Sequence, residues 1–296
     1  MTRRQWLYLS SLSLAACKEE PKAAPPSTQA GKDIGPLKAG PFSVNVPAEW
    51  RANAIVEKVP LRPLYSAEDW QAFQKDSMNI LKPSWGCRPE HWAIRLPAAL
   101  PKGVPFNTQD PGDDPTAPQI LIHRADQWDV AFTNGSTLAG EKSFTAKQLR
   151  AGMDGLLSGK GPAPCPAYMD ASLSYRCLPQ RIDFDGGHGV RVIAEWEIEA
   201  DLMTKGDLHY LFVGMSADDS CQIIATFPID LPGLPEPGEK AEHLGRSIAR
   251  YEELSKDHEA YATEAEQWLK QHQAEITPRL DLLDGMLRSL VVKSWA

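Results

Sequence analysis

The chain has 296 residues, 42% hydrophobic and 24% charged, an ordinary globular composition that excludes a collagenous, low-complexity or wholly disordered protein. Lys and Arg number 31 against 39 Asp and Glu, a net charge of -8 that lacks the strongly basic balance of a nucleic-acid binder. No apolar run reaches the ~18 residues of a membrane-spanning helix.

The amino terminus reads as an export signal. Arg3 and Arg4 make a short basic segment, Trp6 to Leu14 a modest apolar core, and Leu14-Ala15-Ala16-Cys17 closes it with small residues. Leu-Ala-Ala-Cys resembles the bacterial lipobox, which implies cleavage before Cys17 and acylation of its thiol by palmitate-type chains. Lys18 in the next position favours the outer membrane under the proteobacterial sorting rule. Thr2-Arg3-Arg4-Gln5-Trp6-Leu7 is also similar to a twin-arginine export motif, and a general secretory signal with two arginines is the equal alternative. Residues 1–16 are then the signal peptide, and their loss lowers Lys and Arg to 29 and moves the balance to -10. Residues 17–40, rich in Pro, Ala, Lys and Gly, hold too little apolar surface to offset ordering entropy and read as a flexible tether from the lipid.

Residues 41–296 read as a single α+β domain with a loop-rich segment inserted at about 83–177. Phe42-Ser43-Val44-Asn45-Val46-Pro47 alternates at period two, a strand stopped by proline, with Trp50 plugging the core beyond it. Ser66-Ala67-Glu68-Asp69 followed by Trp70, Phe73 and Met78 predicts a helix over about 66–80. His91 to Leu96 and Gln119 to His123 read as strands, joined by a Pro/Asp/Gly loop of the length that is often functional or disordered. Thr145 to Leu157 gives a short helix.

Four extended runs follow, Leu178 to Phe184, Val190 to Glu199, Leu208 to Met215 and Cys221 to Phe227, separated by short turn-rich gaps that predict an antiparallel meander. In the second run Val192, Ala194, Trp196 and Ile198 share one face, whereas Arg191, Glu195, Glu197 and Glu199 share the other, which reads as solvated. Leu244, Ile248, Tyr251, Leu254, His258, Tyr261, Ala265 and Trp268 recur every three or four residues and predict a long helix over about 240–274. Thr277-Pro278 restarts a second helix carrying Leu280, Leu283, Leu287 and Leu290. The expected architecture is an antiparallel meander sheet covered by helices, similar to an α/β/α sandwich, with long helices at the carboxy end.

With Cys17 assigned to lipid, Cys87, Cys165, Cys177 and Cys221 form an even set in an exported chain, and three disulfide connectivities are open. The local clip of Cys165 with Cys177 is favoured, leaving Cys87 with Cys221. Zinc is the competitor, since Cys87 and His91 stand four apart, but no second close Cys/His pair completes a site. The run Gly155 to Gly161 has three residues where a phosphate loop needs four before Gly-Lys, and it ends in Gly where Ser or Thr must hold magnesium. Gly214-Met215-Ser216 lacks the second glycine of a nucleophile elbow. Asp183 to His188 lacks the third oxygen ligand of a calcium loop, and His258 and His272 read as helix-face residues. No catalytic residue, metal ligand or cofactor is assigned.

Phe42 to Trp50 resembles the opening strand and P-x-x-W of PsbP-like domains. The runs Leu208 to Val213 and Cys221 to Phe227, with a closing helix leading to Arg288-Ser289-Leu290, are similar to that family's second half. The resemblance covers about seventy residues and implies a sandwich acting as a non-enzymatic accessory factor, with no functional residue carried across. The expected role is that of a lipid-anchored, periplasm-facing or surface protein of the bacterial cell envelope that binds another envelope protein or assists its assembly. A hydrolase with its site near 97–118 and a small-ligand-binding lipoprotein are the alternatives.

Overall fold

A computed structural model describes residues 33–62, 71, 75, 88–104, 114–128, 131, 146–158, 172–197, 200–238 and 240–295. Asp33–Ala296 forms a compact unit by itself. The export segment, Cys17 and residues 18–32 of the tether lie outside the described residues, as does the 66–80 helix except for Gln71 and Lys75, both helical.

Order begins earlier than the composition of the tether implies. Strand β1 (Ile34–Ala39) pairs antiparallel with β2 (Phe42–Pro47), in register from Ile34 opposite Pro47 to Ala39 opposite Phe42. The connecting turn needs Gly40, which has φ +59, and a Cβ there would lie 2.6 Å from the Trp92 indole. Phe42, Val44 and Val46 are buried, and the one-turn helix α1 (Ala48–Arg51) places Trp50 against Phe227.

The main sheet has seven strands, β3 (Ile55–Val59), β4 (His91–Arg95), β5 (Gln119–Arg124), β6 (Ser172–Phe184), β7 (Gly187–Glu197), β8 (His209–Ser216) and β9 (Cys221–Pro228). Their order is β3-β4-β5-β9-β8-β7-β6, antiparallel throughout, so the expected meander is present and hands over to β5 through β9. β4 and β5, which fall within the stretch about 83–177, are part of this sheet. β6 also begins at Ser172, six residues before the predicted run, with register shifts at Leu173/Tyr175 and Cys177/Gln180 and with Leu178 at φ +54.

Each sheet face is covered by helix. On the inner face Ile94, Ile120, Ile193, Phe212 and Ile223 share a core with Leu254, Tyr261, Ala265 and Leu269 of α3 (Tyr251–His272) and Leu283 and Leu287 of α4 (Leu280–Arg288). On the outer face Val192, Leu211, Val213 and Ile224 pack with Leu149, Met153 and Leu156 of α2 (Ala146–Ser158). Each Val, Leu, Ile, Phe or Met side chain among them, once removed from water, contributes roughly 1.5–3 kcal/mol.

Three expectations change here. Arg191 and Glu195 do not sit on a solvated face, since α3 and α4 cover it and both residues are buried. Arg191 instead forks onto Asp284 of α4, Nε to Oδ1 at 3.2 Å and Nη2 to Oδ2 at 3.1 Å, while Tyr210 donates to Asp284 Oδ1 at 2.8 Å. The same guanidinium donates to the Leu178 carbonyl at 2.5 Å and to Gln180, so one buried cation ties the β6 irregularity to a helix. The long helix also starts later than predicted. Glu242–His243 and Arg246–Ser247 form the short strands β10 and β11, turned through Leu244 and Gly245 at φ +47 and +77, and Tyr251 is the first residue of α3. Thr277 does not cap α4; it exchanges backbone hydrogen bonds with Asp230 at 2.7 and 2.9 Å, and the helix starts after Arg279.

Candidate functional site

The outer sheet face changes character between β8 and β5. Period-two alternation sends His91, Ala93 and Arg95 of β4, Gln119, Leu121 and His123 of β5, and Gln222, Ile224 and Thr226 of β9 to the same side. His91 stands opposite His123, and His123 opposite Gln222; Arg95 stands opposite Gln119, and Gln119 opposite Thr226. The result is two polar rows separated by the apolar row Ala93, Leu121 and Ile224. Every polar member is at most 9% exposed, so the rows belong to the interior.

The first row is a stack of rings. The imidazoles of His91 and His123 lie 4.8 Å apart, and Trp128 lies 5.1 Å beyond His123. The Trp128 indole N–H donates to Gln222 Oε1 at 2.5 Å, and the Glu90 N–H donates to Gln127 Oε1 at 2.8 Å, fixing the segment that follows β5. His91 Nδ1–H donates to the Pro89 carbonyl at 2.8 Å, which leaves Nε2 as an acceptor, buried and without a hydrogen-bond partner among the described residues. Burial lowers the His91 pKa to about 4, with the Arg88 charge adding to the effect. Burial also holds His123 well below the usual histidine range, with His91 and Arg88 pushing the same way. Both rings are neutral at pH 7.

The second row sits where the loop after β4 returns. Gln119 Nε2–H donates to the Asp114 carbonyl at 2.9 Å, while Gln119 Oε1 is buried without a hydrogen-bond partner among the described residues. Arg95 is paired with Glu57 of β3. His209 donates Nδ1–H to the Asp207 carbonyl at 2.7 Å and lies 5.2 Å from Trp196. Burial lowers the His209 pKa to about 4 against the opposing pull of Asp114. The lowered pKa values keep these imidazoles neutral near pH 7, and a neutral ring that donates through Nδ1 keeps Nε2 able to accept a hydrogen bond.

Of the residues singled out in the sequence, only His91 belongs to this face. Arg3, Arg4, Cys17, Cys87 and Cys165 lie outside the described residues, as do the side chains of Glu197 and Glu199. Cys177 and Cys221 are buried free thiols. Cys177 donates to the Glu266 carbonyl at 3.4 Å, and burial pushes its pKa up to about 11. Cys221 lies 3.4 Å from Ser220 Oγ, and its pKa too is raised by burial. The disulfide pairings expected for them depend on partners outside the described residues. Ser216 donates to Asp218 Oδ1 at 2.6 Å inside the β8–β9 hairpin, the turn chemistry expected there. His272 Nδ1–H donates to the Trp268 carbonyl at 2.8 Å on α3. Among the described residues no three His, Cys, Asp or Glu side chains converge as a metal site requires.

A depression of about 170 Å³ lies between the β10–β11 turn and the start of α3, lined by Arg246, Arg250, Glu253 and Asp257. Its most buried charge is already engaged, for Arg246 is held by Asp257 at 2.8 Å and Glu264 at 2.5 Å.

The sequence does carry a signal for the polar rows. HWAIR and QILIH both place polar residues at either end of one alternating face, with a small or apolar residue between them. Compared with protein-family models, curated proteins and solved structures, the chain finds no match in any of the three.

Proposed function

We propose that this protein is a lipid-anchored binding or assembly factor of the bacterial envelope, tethered through Cys17, with the enclosed polar half of its outer sheet face as the floor of an interior recognition site. The carrying observation is that His91 Nε2 and Gln119 Oε1 are acceptors buried on that face without hydrogen-bond partners among the described residues. A buried acceptor left unsatisfied costs about 1–3 kcal/mol, so groups of this kind accompany a partner, a ligand or an ordered water. The Leu-Ala-Ala-Cys segment supports the anchor, and the similarity of residues 42–50 to PsbP-like domains supports an accessory role over a catalytic one. The buried histidines point the same way, since burial holds their pKa values below the range near pH 7 that acid–base work needs.

Two measurements test the reading. Mass spectrometry of the mature amino terminus should find an acylated Cys17, and an unmodified cysteine there rejects the anchor. A thermal-shift screen of the mature chain against small polar compounds and envelope extracts should yield stabilisers whose effect is lost in His91→Phe and in Gln119→Leu. Stabilisers that act equally on both variants would move the recognition site elsewhere.

A further inference from the structure

We propose that residues 291–295 are a built-in ligand in a β-addition site between β2 and the β6–β7 turn, and that an extended segment of a partner protein takes their place there.

β2 has two hydrogen-bonding edges. One pairs with β1; on the other, Ser43 donates to the Val291 carbonyl at 3.2 Å and accepts from the Val291 N–H at 2.8 Å. The Asn45 N–H on that same edge goes to Ser289 Oγ at 2.8 Å. Across the slot the Asp185 N–H donates to the Leu290 carbonyl at 3.1 Å, and the Asp185 carbonyl accepts from Val292 at 2.8 Å. Val291 is thus held as a strand is held, antiparallel to Ser43 and parallel to Asp185. The turn is shaped to this backbone, since Gly186 has φ +94 and a Cβ there would lie 2.2 Å from the Val292 carbonyl oxygen.

Main-chain hydrogen bonds of this kind can be reproduced by an added strand from another protein, with side-chain pockets giving the selectivity. The slot supplies such pockets. Val292 is buried, the Trp295 ring lies 5.5 Å from Phe42, and its N–H donates to Glu90 at 3.2 Å. Lys293 and Ser294 are exposed beside a rim that carries Asp185, Asp218 and Glu90. The partner segment is therefore extended, apolar at one position, aromatic three positions on, and free of acidic residues. Of residues 291–295 only Val292 is buried, so they peel away at less cost than the strands of the sheet. The slot shares no residue with the polar rows and stands independently of the recognition site proposed above.

A labelled, acetylated peptide of residues 291–296, VVKSWA, tests the slot against the mature chain and against a chain ending at Leu290. The shortened chain should bind it at least tenfold more tightly than the full chain, whose slot is filled. A peptide with Val291→Pro lacks the N–H given to Ser43 and should bind at least tenfold more weakly. A peptide that keeps only Val292 and Trp295, with threonine elsewhere, should bind within tenfold of the native one. Equal binding by the two chains, binding by neither, equal binding of the proline peptide or failure of the threonine peptide would overturn the proposal. Should the shortened chain not fold, Trp295→Ala in the full chain replaces it; a tenfold gain in peptide binding is expected, and no gain overturns the proposal. Hydrogen–deuterium exchange of the unaltered chain gives a separate reading. Peptides covering 289–296 should exchange at least tenfold faster than those covering 209–228, and equal protection would overturn the proposal.

Discussion

The two halves of the outer sheet face are built on the same register and exclude water by opposite means. Under α2 the cross-strand rows are aliphatic, Val192 opposite Leu211 and Val213 opposite Ile224, and the helix contributes Leu149, Met153 and Leu156. Over β4 and β5 the rows are imidazole, guanidinium and amide, equally buried but stacked and hydrogen-bonded. The first arrangement draws its stability from area, without regard to pH. The second carries groups that must stay neutral or paired to remain inside, and so it responds to protons.

Acid should expose that difference most strongly. His91 and His209 have folded pKa values of about 4, below the 6.5 of an unfolded histidine. Their contribution is fully present above pH 6.5 and is lost as pH falls toward 4, because the unfolded chain takes up the protons that the folded chain refuses. Each group accounts for about 3 kcal/mol, so urea denaturation at pH 7 and pH 4 should differ by about 6 kcal/mol from these two alone. His209→Phe should recover about half of that loss.

The inner face sharpens the comparison by showing a charge made safe through pairing. Asp284→Ala leaves Arg191 and the Tyr210 hydroxyl without their shared acceptor beneath α4, and a loss of about 3–5 kcal/mol is expected in chemical denaturation. Leu211→Ala should cost about 3 kcal/mol by removing packing beneath α2, with no dependence on pH between 4 and 8. A pH-dependent effect of that substitution would break the distinction between the halves. The smallest change is expected at Gln119→Leu. It removes an acceptor that has no hydrogen-bond partner among the described residues together with one donor bond to Asp114, so chemical denaturation should show a stability change of about 1 kcal/mol or less in either direction.

The carboxy-terminal residues show why sequence and structure part company. Leu290 to Val292 run between β2 and the β6–β7 turn, where Val291 exchanges hydrogen bonds with Ser43 and Val292 donates to the Asp185 carbonyl. Ser294 donates to Asp218, and Trp295 reaches Glu90 at 3.2 Å and Phe42 at 5.5 Å. These contacts join residues some 75 to 250 positions apart, and no local pattern encodes them.

Local chemistry by itself determined the α+β class, the four meander strands, the β4 and β5 strands and the two closing helices, because period-two and period-3.6 burial is written in neighbouring residues. It could not say which faces end up dry. Arg191 and Glu195 alternate as solvated residues do, and only the docking of α3 and α4 encloses them. IGPLKA has the composition of a linker, and only pairing with β2 orders it. The polar rows were visible as alternation in HWAIR and QILIH, but their meaning depended on β4, β5 and β9 being neighbours. That adjacency is a long-range choice made by total burial and pairing, and it turns scattered histidines into one water-free stack.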